Sequence, residues 1–223
     1  MDADSSFSDV AERRRDILSR MDASCTAHNR DDPVTLVAVS KVQPDDRIDA
    51  ALRAGHRVFG ENRVQEARTR WGERRGEVQD LELRLVGPLQ TNKAGQACEL
   101  FDVIETLDRP KLARALAAQA SPPPCLIQVN TGLEPQKAGV LPESLDPLLA
   151  EARALQLTVQ GLMCIPPMAE PAGPHFAYLA KLAKQRGLGV LSMGMSADFE
   201  TAIAFGATHV RVGSAFFGAR QPG

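Results

Sequence analysis

The feature of this sequence that most constrains its fold is an eightfold alternation between short apolar runs and helix-length amphipathic segments. The runs have the length and composition of β-strands, and they cover residues 35–40, 57–60, 83–86, 103–106, 125–129, 159–163, 189–192 and 209–212. Strands that alternate with helices pair in parallel through right-handed crossovers. Eight such units predict an α/β fold with a single closed (β/α)₈ TIM barrel.

The segments between the strands carry helix stop signals, since glycine or proline follows most of them. Helices are predicted over 44–54, 62–71, 109–120, 142–155, 174–186 and 198–205, with an extra N-terminal helix over 7–27. The first strand runs into Ser40-Lys41-Val42-Gln43-Pro44, which cannot form the G-x-G-x-x-G turn of an open dinucleotide-binding sheet. No linker-like stretch divides the chain. We therefore predict one domain over 1–223, with 1–34 as the leading helix and its connection.

Composition excludes several classes of partner. The chain has 223 residues, and its 26 Lys and Arg against 28 Asp and Glu give a formal net charge of −2. This near-neutral charge removes the usual electrostatic basis for binding nucleic acid or a membrane surface. No apolar stretch reaches the length of a membrane span, and the N-terminus lacks the order of a secretory signal.

The cysteines indicate a reducing compartment. Cys25, Cys98, Cys125 and Cys164 lie far apart, and neither they nor the histidines have metal-ligand spacing. We therefore expect a cytoplasmic protein with unpaired thiols and no metal site.

Lys41 follows the first predicted strand, at the barrel end where binding residues collect. By strand alternation its side chain shares a face with Val37 and Val39, which should point into the barrel. A partly desolvated lysine has a lowered pKa, and its free amine is suited to Schiff-base chemistry. A lysine that pairs with an acid or leans out to solvent is the alternative, and position alone does not decide between them.

The segments after the seventh and eighth strands predict an anion site. Leu191-Ser192-Met193-Gly194-Met195-Ser196 and Val212-Gly213-Ser214-Ala215 combine glycine with small polar residues. Barrels often bind phosphate at this pair of loops, where main-chain N–H groups approach the anion. Ser196 is also placed to cap the helix that begins near Asp198, and the two roles are compatible.

Arg211 lies inside the eighth strand, between Val210 and Val212, so alternation turns it to the inner face with Gly213. An arginine inside a small barrel is costly to bury without a partner. Pairing with Glu61 or another inward acid is one explanation, and contact with a ligand is the other.

An ordered set of short motifs runs from Leu36 to Arg220. The motifs are Ala38-Val39-Ser40-Lys41, Phe59-Gly60-Glu61-Asn62-Arg63-Val64-Gln65-Glu66, Val86-Gly87-Pro88-Leu89-Gln90-Thr91-Asn92-Lys93, Gln128-Val129-Asn130, Lys137-Ala138-Gly139, Gly161-Leu162-Met163, Leu191-Ser192-Met193-Gly194-Met195-Ser196, Val210-Arg211-Val212-Gly213 and Phe217-Gly218-Ala219-Arg220. Any one of them is weak, whereas the ordered set is highly specific. Taken together, the sequence resembles the pyridoxal phosphate homeostasis protein family.

The resemblance implies a barrel similar to the N-terminal domain of alanine racemase, with pyridoxal 5′-phosphate carried as a Schiff base on Lys41. It assigns the phosphate to Met195, Ser196, Gly213 and Ser214, the pyridine nitrogen to Arg211, and the ring to Asn62 and Met163. It also implies a role in vitamin B6 and amino-acid homeostasis, with transient contact to apoenzymes that use the cofactor. The sequence departs from the family at Arg63, where tyrosine is frequent, at Arg84, where histidine is common, and in a tail without the usual aromatic residue. We expect these departures to affect rim contacts and partner surfaces rather than the cofactor.

An arginine opposite the pyridine nitrogen leaves that nitrogen unprotonated, so the cofactor is a weaker electron sink than one paired with aspartate. Alanine racemase also uses a tyrosine from a partner's second domain, whereas this chain ends at Gly223 and Tyr178 belongs to an outer helix. We therefore expect a monomeric cofactor carrier with no catalytic residue. The alternatives are a low-rate amino-acid racemase that uses the cofactor and a Schiff-base aldolase acting on a sugar phosphate. The aldolase also predicts Lys41 and the phosphate loops, but it gives no account of Arg211.

Overall fold

A closed barrel of parallel strands forms the centre of the protein. The computed structural model describes the backbone of residues 3–218 and the side chains of residues 7–218. The strands are β1 (Thr35–Val39), β2 (Val58–Glu61), β3 (Glu82–Leu85), β4 (Val103–Leu107), β5 (Cys125–Gln128), β6 (Val159–Met163), β7 (Val190–Ser192) and β8 (His209–Val212). They pair in chain order, and β8 closes on β1 with Val37 opposite Arg211. The predicted α/β TIM barrel is confirmed.

Helices cover the outside of the barrel and connect successive strands. They are α1 (Ala3–Ala27), α2 (Asp45–Arg53), α3 (Val64–Trp71), α4 (Arg74–Glu77), α5 (Ala94–Leu100), α6 (Pro110–Ala117), α7 (Leu145–Ala154), α8 (Ala172–Gln185), α9 (Phe199–Ala204) and α10 (Ser214–Phe217). The N-terminal helix α1 packs across α2, α9 and α10. Val10, Ile17 and Met21 recur on one helical face and are buried in that contact. The leading helix is thus confirmed, with its start at Ala3.

The strand bounds follow the sequence pattern closely, because the predicted and observed ends differ by at most one residue. The helices differ more. Helix α5 was not predicted, since its sequence AGQACEL is short and has little amphipathic contrast. The segment predicted as one helix over 142–155 begins instead with a 3₁₀ turn, Pro142–Ser144, and continues as α7. Pro147 is tolerated in the first turn of α7, where an N–H has no helical partner.

Two kinds of side chain fill the interior of the barrel. Val103, Leu126 and Met163 form an apolar cluster against Val190, separate from the large core between strands and helices. A polar network that includes Arg211 joins β3, β4, β7 and β8 in the same interior. Within residues 3–218 no helix is both long and apolar enough to cross a lipid bilayer.

Candidate functional site

A cavity of about 490 Å³ opens among the segments that follow the carboxyl ends of the strands. Seven of the eight residues assigned to the cofactor line it: Lys41, Asn62, Met195, Ser196, Arg211, Gly213 and Ser214. The other lining residues are Val39, Gln43, Val86, Ile165, Met168 and Ala197. Among these described residues the charged side chains are Lys41 and Arg211, and none is acidic. The lining therefore suits an anionic molecule.

Met163 does not line this cavity. Its side chain is fully buried and packs with Val103, Leu126 and Val190 inside the barrel. Met163 is the last residue of β6, and alternation along that strand turns it toward the apolar interior. The structure therefore separates Met163 from the seven residues that it brings together.

The turn after β1 holds Lys41 at the mouth of the barrel, where the lysine is half-buried. The Ser40 N–H donates to the main-chain oxygen of Gly60 at 3.0 Å, and the Gln43 N–H donates to that of Ser40 at 3.1 Å. Val42 has a φ of +53°, a left-handed conformation that β-branched residues avoid. The turn is thus closed on both sides of the lysine at the cost of local strain in the backbone.

Glu61 lies on the outer side of β2, toward α3. Its fully buried Oε1 accepts hydrogen bonds from Ser40 Oγ at 2.7 Å, Arg70 Nη1 at 2.9 Å and Trp71 Nε1 at 2.9 Å. The suggested pairing of Arg211 with Glu61 is therefore wrong, because the carboxylate points away from the barrel interior. Trp71 packs against Phe59, with ring centroids 4.7 Å apart. It also supplies one of the donors that make this buried charge tolerable.

Arg211 is held by Ser192 on β7 and by Cys164, which directly follows β6. Its Nη1 donates to Ser192 Oγ at 2.7 Å and its Nη2 donates to the main-chain oxygen of Cys164 at 2.8 Å. The inward acid near it is Glu105, whose Oε2 lies 4.0 Å from Nη1. Burial alone raises the pKa of Glu105, but the guanidiniums of Arg84 and Arg211 outweigh it and lower that pKa. Glu105 is therefore an anion at neutral pH.

The loops after β7 and β8 converge beside the cavity. Gly194 has a φ of +92°, and a Cβ added there would lie 2.5 Å from the Cβ of Ala202 on α9. The Ala215 N–H donates to Ser196 Oγ at 3.4 Å, and Ser214 Oγ lies 3.4 Å from the same oxygen. The two hydroxyls and the turn that begins α10 thus meet at one edge of the cavity.

Ser196 does not cap α9. The residue before that helix is Asp198, and its Oδ1 accepts a hydrogen bond from the Met195 N–H at 2.6 Å. Asp198 therefore closes the loop in which Ser196 lies. The expected capping role of Ser196 is wrong, because the serine faces the β8 loop instead.

Asn62 forms a wall between two cavities. The second cavity, of about 770 Å³, has lining residues that include Asn62, Arg63, Lys93 and Arg109. Asn62 packs against Gly87, where an added Cβ would lie 2.6 Å from the Asn62 Cα. The glycine after β3 therefore lets the β2 loop approach closely enough to form this wall.

Four titratable groups that do not line the cavity have strongly shifted pKa values. Burial lowers the pKa of His56 to about 4, and burial with the nearby Arg84 lowers that of His209 to about 4. Burial raises the pKa of the Cys125 and Cys164 thiols to about 12, so both are neutral and unreactive. Across the described chain, residues 3–218, no group of three or more His, Cys, Asp and Glu is arranged to hold a metal ion. Tyr178 on α8 lines a separate cavity.

Sequence reasoning missed the network behind Arg211. Arg84 was expected to affect only rim contacts, but it lies inside the barrel, 3% exposed, with its Nε 2.5 Å from Glu105 Oε1. That expectation is wrong, since Glu105 connects Arg84 to Ser192 and through it to Arg211. Strand alternation puts Glu105 on the same inward face as Val103, and this pattern was the sequence signal that could have revealed the network.

Residues 27–221 match the family model of the alanine racemase N-terminal domain. The chain is 43% identical to the pyridoxal phosphate homeostasis protein of Pseudomonas aeruginosa, with 97% of this chain and 98% of that protein covered. The Escherichia coli protein of the same name is 38% identical, with 96% and 98% covered.

Solved structures have the same barrel. PipY of Synechococcus elongatus with pyridoxal phosphate bound is 37% identical, with a TM-score of 0.77 and coverage of 94% of this chain and 100% of that one. Alanine racemase of Corynebacterium glutamicum is 19% identical, with a TM-score of 0.69 over 97% of this chain and 62% of the racemase. At that identity the racemase shows a common fold alone.

Proposed function

This chain belongs to the pyridoxal phosphate homeostasis protein family, and we propose that it binds pyridoxal 5′-phosphate and carries it for vitamin B6 and amino-acid homeostasis. The observation that carries the proposal is the cavity in which Lys41, Arg211 and the Ser196–Ser214 pair meet. A relative that is 37% identical over nearly the whole chain has a structure with this cofactor bound. This protein would deliver the cofactor, through transient contact, to apoenzymes that require it.

The chemistry of the lining fits the cofactor group by group. When bound, pyridoxal phosphate supplies an aldehyde that condenses reversibly with a primary amine and releases one water. Among the described lining residues Lys41 is the one primary amine. Its position supports Lys41 as the covalent attachment point.

The phosphate end of the ligand has its own donors. The hydroxyls of Ser196 and Ser214 meet 3.4 Å apart at the edge of the cavity, in loops that also supply Met195 and Gly213 to the lining. No carboxylate belongs to the described lining to repel the phosphate. These loops are therefore proposed to bind the phosphate, and Asn62 to contact the ring.

Arg211 supports carriage rather than turnover. A guanidinium stays protonated at neutral pH, so Arg211 would donate to the pyridine nitrogen of a bound cofactor and could not give that nitrogen a full positive charge. Racemisation also needs acid–base groups on two faces of the substrate. The described lining residues include no His, Asp, Glu, Cys or Tyr that would serve as a second group beside Lys41.

The test is the absorption spectrum of the purified protein with pyridoxal phosphate, before and after borohydride reduction, followed by peptide mapping. We expect a visible band that reduction removes and a modified Lys41 peptide. Lys41→Arg keeps the charge and should lose the band. Lys93→Arg, in the neighbouring cavity, is the matched control and should keep it. A missing band in the wild-type protein, or a label on another lysine with Lys41 unmodified, would overturn the assignment.

Carriage and catalysis are then separated by two assays on the loaded protein. Incubation with single amino acids should leave their configuration unchanged, whereas mixing with an apoenzyme that requires the cofactor should restore that enzyme's activity. Racemisation of an amino acid that is lost in Lys41→Arg would replace the carrier by a racemase. Cleavage of a sugar phosphate without added cofactor would replace it by an aldolase.

A further inference from the structure

A chain of buried polar side chains runs from β3 to the cavity. Arg84 Nε donates to Glu105 Oε1 at 2.5 Å, and Ser192 Oγ donates to Glu105 Oε2 at 2.5 Å. Arg211 Nη1 then donates to Ser192 Oγ at 2.7 Å. Arg84, Glu105, Ser192 and Arg211 are each at most 5% exposed. We refer to these four residues as the inner network.

The direction of each hydrogen bond in the inner network is fixed by chemistry. An arginine has only N–H donors and an ionised carboxylate only acceptors. Ser192 must therefore accept from Arg211 and turn its own O–H to Glu105. Glu105→Gln would keep one uncharged acceptor oxygen and put an NH₂ donor in place of the other, so the side chain could no longer accept from both Arg84 and Ser192.

The charges of the inner network are balanced around one carboxylate. Glu105 is fully buried, and Arg84 and Arg211 lie on its two sides. Glu82, a half-buried carboxylate at the start of β3, is the second partner of Arg84. His209 is neutral at pH 7, since its pKa is lowered to about 4 by burial and by Arg84. Glu105 is thus the charge that holds two buried guanidiniums in one place.

The backbone pairing of β4 is irregular around Glu105, which lies in the middle of that strand. The ladder between β4 and β5 shifts register between Ile104 and Leu107, on either side of Glu105. Irregularities of this kind re-aim a side chain within a sheet. The irregular ladder places Glu105 between Arg84 on one neighbouring strand and Ser192 across the barrel.

We propose that Arg84 and Glu105 act through Ser192 as positioning residues that fix the Arg211 guanidinium toward the pyridine nitrogen of the bound cofactor. The proposal rests on the proposed function for the identity of the ligand. The orientation of Arg211 itself is a property of the protein without ligand. Cys164 supplies the second anchor through its main-chain oxygen, which side-chain substitution does not remove. The contribution of Ser192 and Glu105 to the orientation of the Arg211 guanidinium can therefore be removed by side-chain substitution.

The first measurement is of Arg211 in the ligand-free protein. Side-chain ¹H–¹⁵N signals of its guanidinium, assigned by their loss in Arg211→Lys, should be separate in the wild type because rotation is restrained. Ser192→Ala leaves the Arg84–Glu105 pair intact and should average these signals. Ser192→Thr keeps the hydroxyl and should restore them. Separate signals in Ser192→Ala would overturn the proposal.

The second measurement is the affinity for pyridoxal phosphate. Glu105→Gln and Ser192→Ala should each raise the dissociation constant about tenfold, which corresponds to about 1.4 kcal/mol. Borohydride should still label Lys41 in both variants. Asp146→Asn removes the ion pair with Arg186 among the outer helices, away from the inner network, and should leave the affinity unchanged. Equal affinity in all three variants would overturn the proposal.

The role of Arg84 is tested by a double-mutant cycle. Arg84→Met should weaken binding in the wild-type background and have no further effect in Ser192→Ala, because its influence passes through the serine. Additive losses in the double variant would mean that Arg84 acts by another route and would overturn that step. If the wild type binds no pyridoxal phosphate, the proposed function fails, and the guanidinium signals still decide whether the inner network orients Arg211.

Discussion

Gly87 and Asn62 pack backbone against backbone, so that a Cβ added at Gly87 would lie 2.6 Å from the Cα of Asn62 and overlap its carbonyl group. Gly87 follows β3 and Asn62 follows β2, and the two strands are neighbours in the barrel. The contact fixes the position of Asn62, which lines both cavities and separates them. Because Gly87 has no Cβ, Asn62 can take its place in the candidate cofactor site, on the side proposed to contact the cofactor ring.

Gly87→Ala should therefore weaken the binding of pyridoxal phosphate and destabilise the protein by about 1–3 kcal/mol, as overpacking does. Denaturant unfolding and titration with the cofactor measure the two effects. Gly189→Ala is the control, because nothing lies within 4 Å of its added Cβ. Unchanged affinity and stability in Gly87→Ala would show that the β2 loop can move away without affecting the site.

Substitution of Met163 and of Met195 should affect cofactor affinity differently. Met163→Leu conserves volume in the apolar interior, so it should cost less than about 1.5 kcal/mol and leave cofactor affinity unchanged. Met195→Ala removes a cavity wall from a residue that is 36% exposed, so it should weaken binding with little change in stability. A cofactor titration of both variants checks this. Loss of affinity in Met163→Leu would mean that Met163 reaches the ring after all.

Val42 should be replaceable with a gain in stability. Its φ of +53° is costly for valine and acceptable for asparagine, and its side chain is 63% exposed, so little burial is lost. We expect Val42→Asn to raise the free energy of unfolding by about 1 kcal/mol. Val78→Asn, at a φ of −101°, is the control and should bring no gain. A loss of stability in Val42→Asn would refute the strain at this turn.

Stability should fall as pH decreases from 7 to 5. His56 and His209 have pKa values lowered to about 4 by burial, so the folded state binds fewer protons than the unfolded state between pH 4 and 6.5. The contribution of each neutral, buried histidine to the free energy of unfolding is therefore present above about pH 6.5 and is lost as pH decreases toward 4. The loss is about 2 kcal/mol per histidine between pH 7 and pH 5.

Urea unfolding of His56→Gln and of the exposed-site variant His28→Gln at pH 7 and pH 5 measures this difference. The difference in unfolding free energy between the two pH values should shrink in His56→Gln and persist in His28→Gln. An equal difference in the wild type and both variants would contradict the assignment to His56.

The sequence predicted the barrel because strand and helix periodicities are local properties. Eight runs of apolar residues, each within one residue of an observed strand, suffice for the architecture once parallel strands must be joined by crossovers. Helix α5 escaped because its small residues give little periodic contrast. The position of Lys41 at the mouth, and the inward turn of Arg211, followed from alternation along β1 and β8.

The partners of these residues were not predictable in the same way. Glu61 and Glu105 both lie in strands, and the sequence suggested Glu61 or another inward acid as a partner for Arg211. The structure decides for Glu105, because Glu61 is taken by Ser40, Arg70 and Trp71 on the outer side of β2. Met163 likewise belongs to the interior cluster and not to the cavity.

The sequence by itself thus determined the eight-stranded barrel, the family, and the end of the barrel at which Lys41 and the glycine–serine loops meet. Only the tertiary structure decided which acid faces Arg211, which serine supports it, and which side chains line the cavity. The physical reason is that periodicity assigns a side chain to one face of its own element. Contacts between elements depend on the register and closure of the whole barrel, which brings together residues as far apart as Glu105 and Ser192.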